Sequence, residues 1–259
     1  MSREIWSRNE RGLTSAPVSG WELAAVCGAV FLAAATQQLS GFGYALMAVP
    51  LLSLVIGPKD AVALSSLSGL AGTALMAVRL RRRVDRPVVG RLLIGAVVGM
   101  PLGIIALRRV PADPLQVAVS VVVLAAVALL ASGFRLGSER PSTEVGAGFV
   151  SGMINTSIGV GGPPVVLVLQ AAEHEQHVFR ATTVTYFLCS NVVALPLFFA
   201  SGVVSSSTWV AGLFAIPAAL LGTLAFERVA FRIQSEHFRP LVLGLLVLSA
   251  VASMASVLW

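Results

Sequence analysis

Ser40-Gly-Phe-Gly-Tyr-Ala-Leu-Met-Ala-Val-Pro50 recurs, 118 positions further on, as Ile158-Gly-Val-Gly-Gly-Pro-Pro-Val-Val-Leu-Val168. A second pair stands at nearly the same offset: Leu102-Gly-Ile-Ile-Ala-Leu-Arg-Arg-Val110 returns as Leu221-Gly-Thr-Leu-Ala-Phe-Glu-Arg-Val229. Two matches at offsets of 118 and 119 indicate duplication rather than shared apolar composition. The expected organisation is a polar N-terminal tail at 1–20, a first transmembrane repeat at 21–134, a linker at 135–142 and a second repeat at 143–259.

Both glycine-rich stretches lie in long segments without Asp, Glu, Lys or Arg, one between Glu22 and Lys59 and one over Val145–Ala172. Further uncharged runs are Ala61–Val78, Leu92–Leu107, Pro114–Phe134, Ala181–Phe226 and Pro240–Trp259. Over 259 residues the chain is 56% hydrophobic and 12% charged, with a mean hydropathy of +0.88, far too apolar for a soluble globule of this size. Crossing about 30 Å of hydrocarbon takes about 20 helical residues, so Ala181–Phe226 is read as two spans turning at Ser201–Ser207. Strand-like alternation is missing from runs such as Val117–Ala131. The fold class is therefore an all-α polytopic membrane protein: two homologous halves of four to five transmembrane segments each, with glycine-broken helices in both. The first twenty residues lack a short apolar core followed by a small-residue cleavage site, so a cleaved signal peptide is not expected.

The net charge of +6 does not point to nucleic acid, because the arginines sit between spans and no reading module is present. Positive loops face the cytoplasm, and the run Arg79, Arg81, Arg82, Arg83, Arg86 and Arg91 marks that side. Partners are thus the lipid bilayer and a small solute; a homo-oligomer stays open. Cys27 and Cys189 fall within apolar spans and read as small buried hydrophobes.

The segment at 23–57 is long for one span and short for two, and Gly41 and Gly43 interrupt it. The second is broken by Gly159, Gly161 and Gly162, with Pro163 and Pro164 at positions that suit a helix start; Pro50 follows the first break. Two discontinuous helices result, with second pieces at about Tyr44–Ile56 and Pro163–Ala171. A helix start carries unpaired N–H groups and about half a positive charge, so two of them meeting inside the membrane make an anion site without a charged side chain. Polar side chains cluster beside both breaks: Gln37, Gln38 and Ser40 at the first, Asn155, Thr156 and Ser157 at the second. The following spans add Ser65, Ser66 and Ser68, then Thr182, Thr183, Thr185, Ser190 and Asn191. In contrast, Gly95-x-x-x-Gly99-x-x-x-Gly103, Gly148-x-x-x-Gly152 and Ala211-x-x-x-Ala215-x-x-x-Ala219 read as packing faces.

An enzyme working inside the membrane needs His, Asp or Glu at depth, whereas His174, His177 and His237 are all expected in charged loops. Neither catalysis, a metal site nor a cofactor is expected. Gly159-Val-Gly-Gly162 follows no strand and lacks the later acid of a dinucleotide fingerprint. A passive anion channel remains the alternative to a carrier. Glu22 and Asp60 stand only at span edges, leaving anion recognition to backbone dipoles and neutral groups.

The glycine-rich breaks, the arginine-rich loop and the duplicated Leu-Gly…Arg-Val element resemble the TauE/SafE family, over about Ala25–Ala255. The resemblance implies a transporter of the cytoplasmic membrane that exports sulfite, sulfonates or related organosulfur or carboxylate anions. The matching positions are Gly41, Gly43 and Pro50, then Gly159, Gly161, Gly162 and Pro164. Tyr44 stands where the family often has another glycine, and the resemblance implies a first half-site narrowed by its bulk.

Two topologies fit the charges. With five segments per half and inverted halves, 12 of the 18 Lys and Arg fall inside, Arg180 among them, and 6 outside; with re-entrant second pieces and four crossings per half, the division is 11 to 7 with Arg180 outside. Charge alone does not separate them.

Overall fold

A computed structural model describes residues 20–40, 43–132, 140–171, 175–232 and 235–258. They form ten α-helices: α1 (Gly20–Ser40), α2 (Tyr44–Ile56), α3 (Pro58–Leu80), α4 (Arg86–Arg109), α5 (Ala112–Ser132), α6 (Pro141–Ile158), α7 (Gly162–Ala171), α8 (Gln176–Ser201), α9 (Ser206–Arg232) and α10 (Ser235–Leu258). A 3₁₀ turn, Arg81–Arg83, joins α3 to α4. No strand occurs among the described residues. Among the described residues six helices are long and apolar enough to cross a membrane. The protein is an all-helical, multi-pass membrane protein.

Local chemistry sets the helix ends. Asp85 caps α4 by accepting the Val88 N–H at 3.2 Å. Proline opens α3 and α6 at Pro58 and Pro141, where a missing N–H costs nothing. The polar turn after Ser201 closes α8 through Gly202, and α9 starts at Ser206. With 13 and 10 residues, α2 and α7 span about 20 and 15 Å, well short of the bilayer. The expected bounds of these pieces hold to within one residue. Pro50, expected to mark a break, lies inside an unbroken α2 and is buried there; its ring removes one donor from the helix without ending it.

The most extensive helix interfaces join α4 to α6 and α1 to α9. In the first, Gly95, Gly99 and Gly103 interlock with Gly148 and Gly152, backbone against backbone. A β-carbon on Gly152 would stand 2.6 Å from Ala96 Cα, and one on Gly148 2.7 Å from the Leu92 carbonyl carbon. Such close approach is how membrane helices associate where lipid supplies no hydrophobic drive. In the second, Gly222 faces the Phe31 carbonyl and Ala34, and Phe31 meets Phe226 edge to face at 6.1 Å. Ala211, Ala215 and Ala219 form a buried stripe on α9. Further helix pairs are α3 with α8 and α5 with α10, where Gln116 donates to the Ser253 carbonyl at 2.9 Å.

Polar ties place the helix ends. Arg79 pairs with Glu227, Arg91 with Glu144, and the Asp85 N–H donates to Thr182 Oγ1 at 3.0 Å. One end of the bundle thus gathers the arginine-rich turn, the start of α6, the start of α8 and the end of α9. At the other end the Ser205 N–H donates to Asp60 Oδ1 at 3.0 Å. Since α6 and α8 both begin at the arginine-rich end, α7 must run back toward it. This arrangement has five segments before the linker and five after it, with Arg180 on the same side as Arg79–Arg91. The four-crossing alternative, which separates them, does not fit these ties.

Candidate functional site: a cavity between two helix breaks

At the first break Gly43 takes φ 105°, a left-handed conformation that lets the chain turn into α2. The last helical residues before it carry Gln37, whose Nε2 lies 3.4 Å from Thr73 Oγ1 on α3. The second break mirrors this with Gly159 at φ 76°, its N–H capping the Asn155 carbonyl at 3.0 Å. Beyond it Gly161 packs on α6: Ser151 Oγ donates to the Gly161 carbonyl at 2.6 Å and accepts from the Tyr186 hydroxyl at 2.8 Å.

A cavity separates the two breaks. The first break lines it with Gln37 and Gly43 and with Tyr44, Ala45 and Leu46 of the α2 start. The second contributes Asn155 and the run Gly159 to Gly162, the α7 start. Ser65, Ser66 and Thr73 of α3 and Phe187 and Asn191 of α8 close the sides.

Both helix starts therefore face one space. At α2 the first intrahelical donor is Met47, to the Gly43 carbonyl at 3.1 Å, so the N–H groups of Tyr44, Ala45 and Leu46 have no helical acceptor. At α7 the prolines Pro163 and Pro164 bring no N–H, which leaves that role to Gly161 and Gly162. Asn155 and Asn191 approach side chain to side chain at 3.4 Å. Ser65 and Ser66 donate to the Val62 carbonyl at 3.0 and 3.1 Å, turning hydroxyl oxygens rather than free protons toward the cavity. Tyr44 lines the cavity with its ring over Gly69, where a β-carbon would stand 2.7 Å from Cε1, and with its hydroxyl on Ser68 Oγ at 2.8 Å.

A model of the sulfite exporter TauE/SafE family matches residues 26–253, nearly the whole chain. The chain belongs to the TauE/SafE family. No curated protein and no solved structure matches it. Membership makes it a multi-pass transporter of the sulfite-exporter type, in keeping with its six long apolar helices and a place in the cell membrane.

On this TauE/SafE chain the sequence-derived residues divide. The cavity brings together Gln37, Gly43, Asn155, Gly159, Gly161, Gly162 and Asn191. Gln38 lies apart from it and is held by Arg180, whose Nη2 donates to the Gln38 carbonyl at 2.8 Å and to Oε1 at 2.6 Å. The Thr156 hydroxyl is spent on the Met100 and Gly152 carbonyls at 2.8 and 2.9 Å, and Ser157 on Met153 at 2.8 Å. Gly41 and the Ser40 side chain lie outside the described residues, as does His174. Thr73 and Phe187 were missed. Thr73 stands two helical turns beyond Ser65 on one face of α3, a spacing visible in the sequence.

Arg180 corrects one reading. The uncharged run begins at Ala181, which made Arg180 a loop charge; the helix begins earlier, at Gln176, and puts the arginine in its second turn, half-buried. The spans are therefore not wholly free of charge near the breaks.

Proposed function

We propose that this protein exports small oxyanions, namely sulfite, sulfonates and related organosulfur or carboxylate compounds, by alternating access around the cavity between the two breaks. The observation that carries the reading is that the starts of α2 and α7 line one cavity. Each start contributes about half a positive charge, worth up to about 2 kcal/mol toward an anion in a partly buried site. Together they offset much of the cost of taking one negative charge out of water, and the amides of Gln37, Asn155 and Asn191 supply further donors. Fixed dipoles of this kind bind without the permanent full charge that would hold an anion too tightly to release.

In this reading residues 21–134 and 143–259 act as inverted repeats. The interfaces of α4 with α6 and α1 with α9 join the first and fourth helices of opposite halves, the pattern such a symmetry requires. The arginine-rich end faces the cytoplasm under the positive-inside rule, and its field concentrates anions at the inner mouth. A membrane potential negative inside then drives a bound anion outward at about 2.3 kcal/mol per charge and 100 mV.

The test is flux in proteoliposomes with sulfite, sulfonates and small carboxylates assayed in parallel. The expected result is saturable flux of at least one of them, accelerated by the same anion on the far side. Flux that grows linearly without such acceleration means a channel, and no anion flux at all overturns the proposal.

A further inference from the structure

Tyr44 of α2 lies against Gly69 of α3, where a β-carbon would stand 2.7 Å from Cε1 of the ring and 2.9 Å from Cδ1. Positions 44 and 69 recur, at the 118-residue offset of the repeated glycine stretches, as 162 and 187. There the sizes are exchanged: Gly162 of α7 stands beside Phe187 of α8, and a β-carbon on the glycine would meet Phe187 Cζ at 3.7 Å. Each break thus meets the long helix after it through one aromatic ring and one glycine. The ring comes from the break in the first case and from the long helix in the second.

The exchange keeps one ring in each slot. A second ring would overpack it, since even a methyl group at Gly69 collides with the tyrosine, and removal of the ring leaves the slot open to the cavity. Both rings are held in place: the Tyr44 hydroxyl meets Ser68 Oγ at 2.8 Å, and Phe187 packs edge to face on Tyr186 with centroids 5.3 Å apart. Tyr44 and Phe187 line the cavity, whereas Gly69, covered by Tyr44, does not.

We infer that Tyr44 and Phe187 determine the largest anion the cavity accepts. The helix starts and the carboxamides take the oxygens, and the two rings are the apolar walls against which the organic group of a sulfonate or carboxylate packs and beyond which it does not extend. The inference rests on the transport proposed above and narrows its substrates to sulfite and anions with a short organic group.

The test compares sulfite with benzenesulfonate in proteoliposome flux, and the unmodified protein is expected to carry the first and exclude the second. Tyr44→Ala and Phe187→Ala are each expected to raise kcat/KM for benzenesulfonate relative to sulfite by about tenfold or more, a ratio that a general loss of stability does not shift. Tyr44→Gly combined with Gly69→Phe gives the first slot the arrangement of the second and is expected to return the ratio to that of the wild type. An unchanged ratio in either folded alanine variant, or a combined variant as permissive as Tyr44→Ala, overturns the inference. So does wild-type flux of benzenesulfonate as fast as that of sulfite, which needs no variant to fold. The rise in unfolding temperature with each anion is read on the same proteins. If the wild type carries no anion, yet sulfite alone stabilises it and both anions stabilise the alanine variants, the transport reading fails and the size limit stands. If neither anion is carried by or stabilises any of these proteins, both fall.

Discussion

Asn155 Nδ2 lies 3.4 Å from Asn191 Oδ1, so the last turn of α6 and the middle of α8 meet at the cavity wall through two carboxamides. Each amide has donor capacity beyond this contact. Asn191→Asp changes one atom and places a negative charge where an anion is expected. Flux should fall at least about tenfold, the effect of about 1.4 kcal/mol of repulsion. Thermal unfolding in detergent should move little, and Asn191→Ala should give a smaller loss.

Two adjacent glycines separate fold from function. A β-carbon on Gly161 would stand 2.6 Å from the Ser151 carbonyl oxygen and 2.7 Å from Asn155 Cβ, whereas one on Gly162 meets only Phe187 Cζ, at an ordinary 3.7 Å. Gly161→Ala should destabilise by about 1–3 kcal/mol, the usual result of overpacking, and lower the unfolding temperature. Gly162→Ala should fold normally and reduce flux of the bulkier sulfonates more than that of sulfite, because its methyl group enters the cavity.

Thr156 was a candidate ligand by sequence, yet its hydroxyl serves the Met100 and Gly152 carbonyls on the α4–α6 seam. Thr156→Val should therefore cost about 0.5–1.5 kcal/mol of stability while leaving KM unchanged. A raised KM with normal stability would return Thr156 to the site.

These cases show what was legible in the chain. The uncharged runs and the Gly-Pro punctuation fix the helices, because hydrocarbon admits little else and each break needs a residue that can turn there. The ends of α2 and α7 could be read almost to the residue. Which hydroxyl faces the cavity could not, since Ser and Thr beside a break satisfy themselves on backbone carbonyls as readily as on a ligand, as Thr156 and Ser157 do. Arg180 was hidden for a different reason: counting charge-free residues locates the hydrocarbon, while the helix that carries the arginine starts before it.

The side on which each helix end lies can be probed chemically. In a background with Cys27 and Cys189 replaced, Arg82→Cys and Ser206→Cys mark the two ends of the bundle. A membrane-impermeant maleimide added to intact cells should label position 206, at the start of α9, and reach position 82 only after permeabilisation. Labelling of both from outside would contradict the orientation.

The most direct measurement is equilibrium binding of the radiolabelled anion carried fastest, to purified wild type and to folded Asn191→Asp side by side. A site at the two helix starts predicts one saturable site per chain in the wild type and its loss in the variant, with unfolding temperatures within a few degrees. Saturable binding of equal affinity in both proteins would place the anion elsewhere and contradict it.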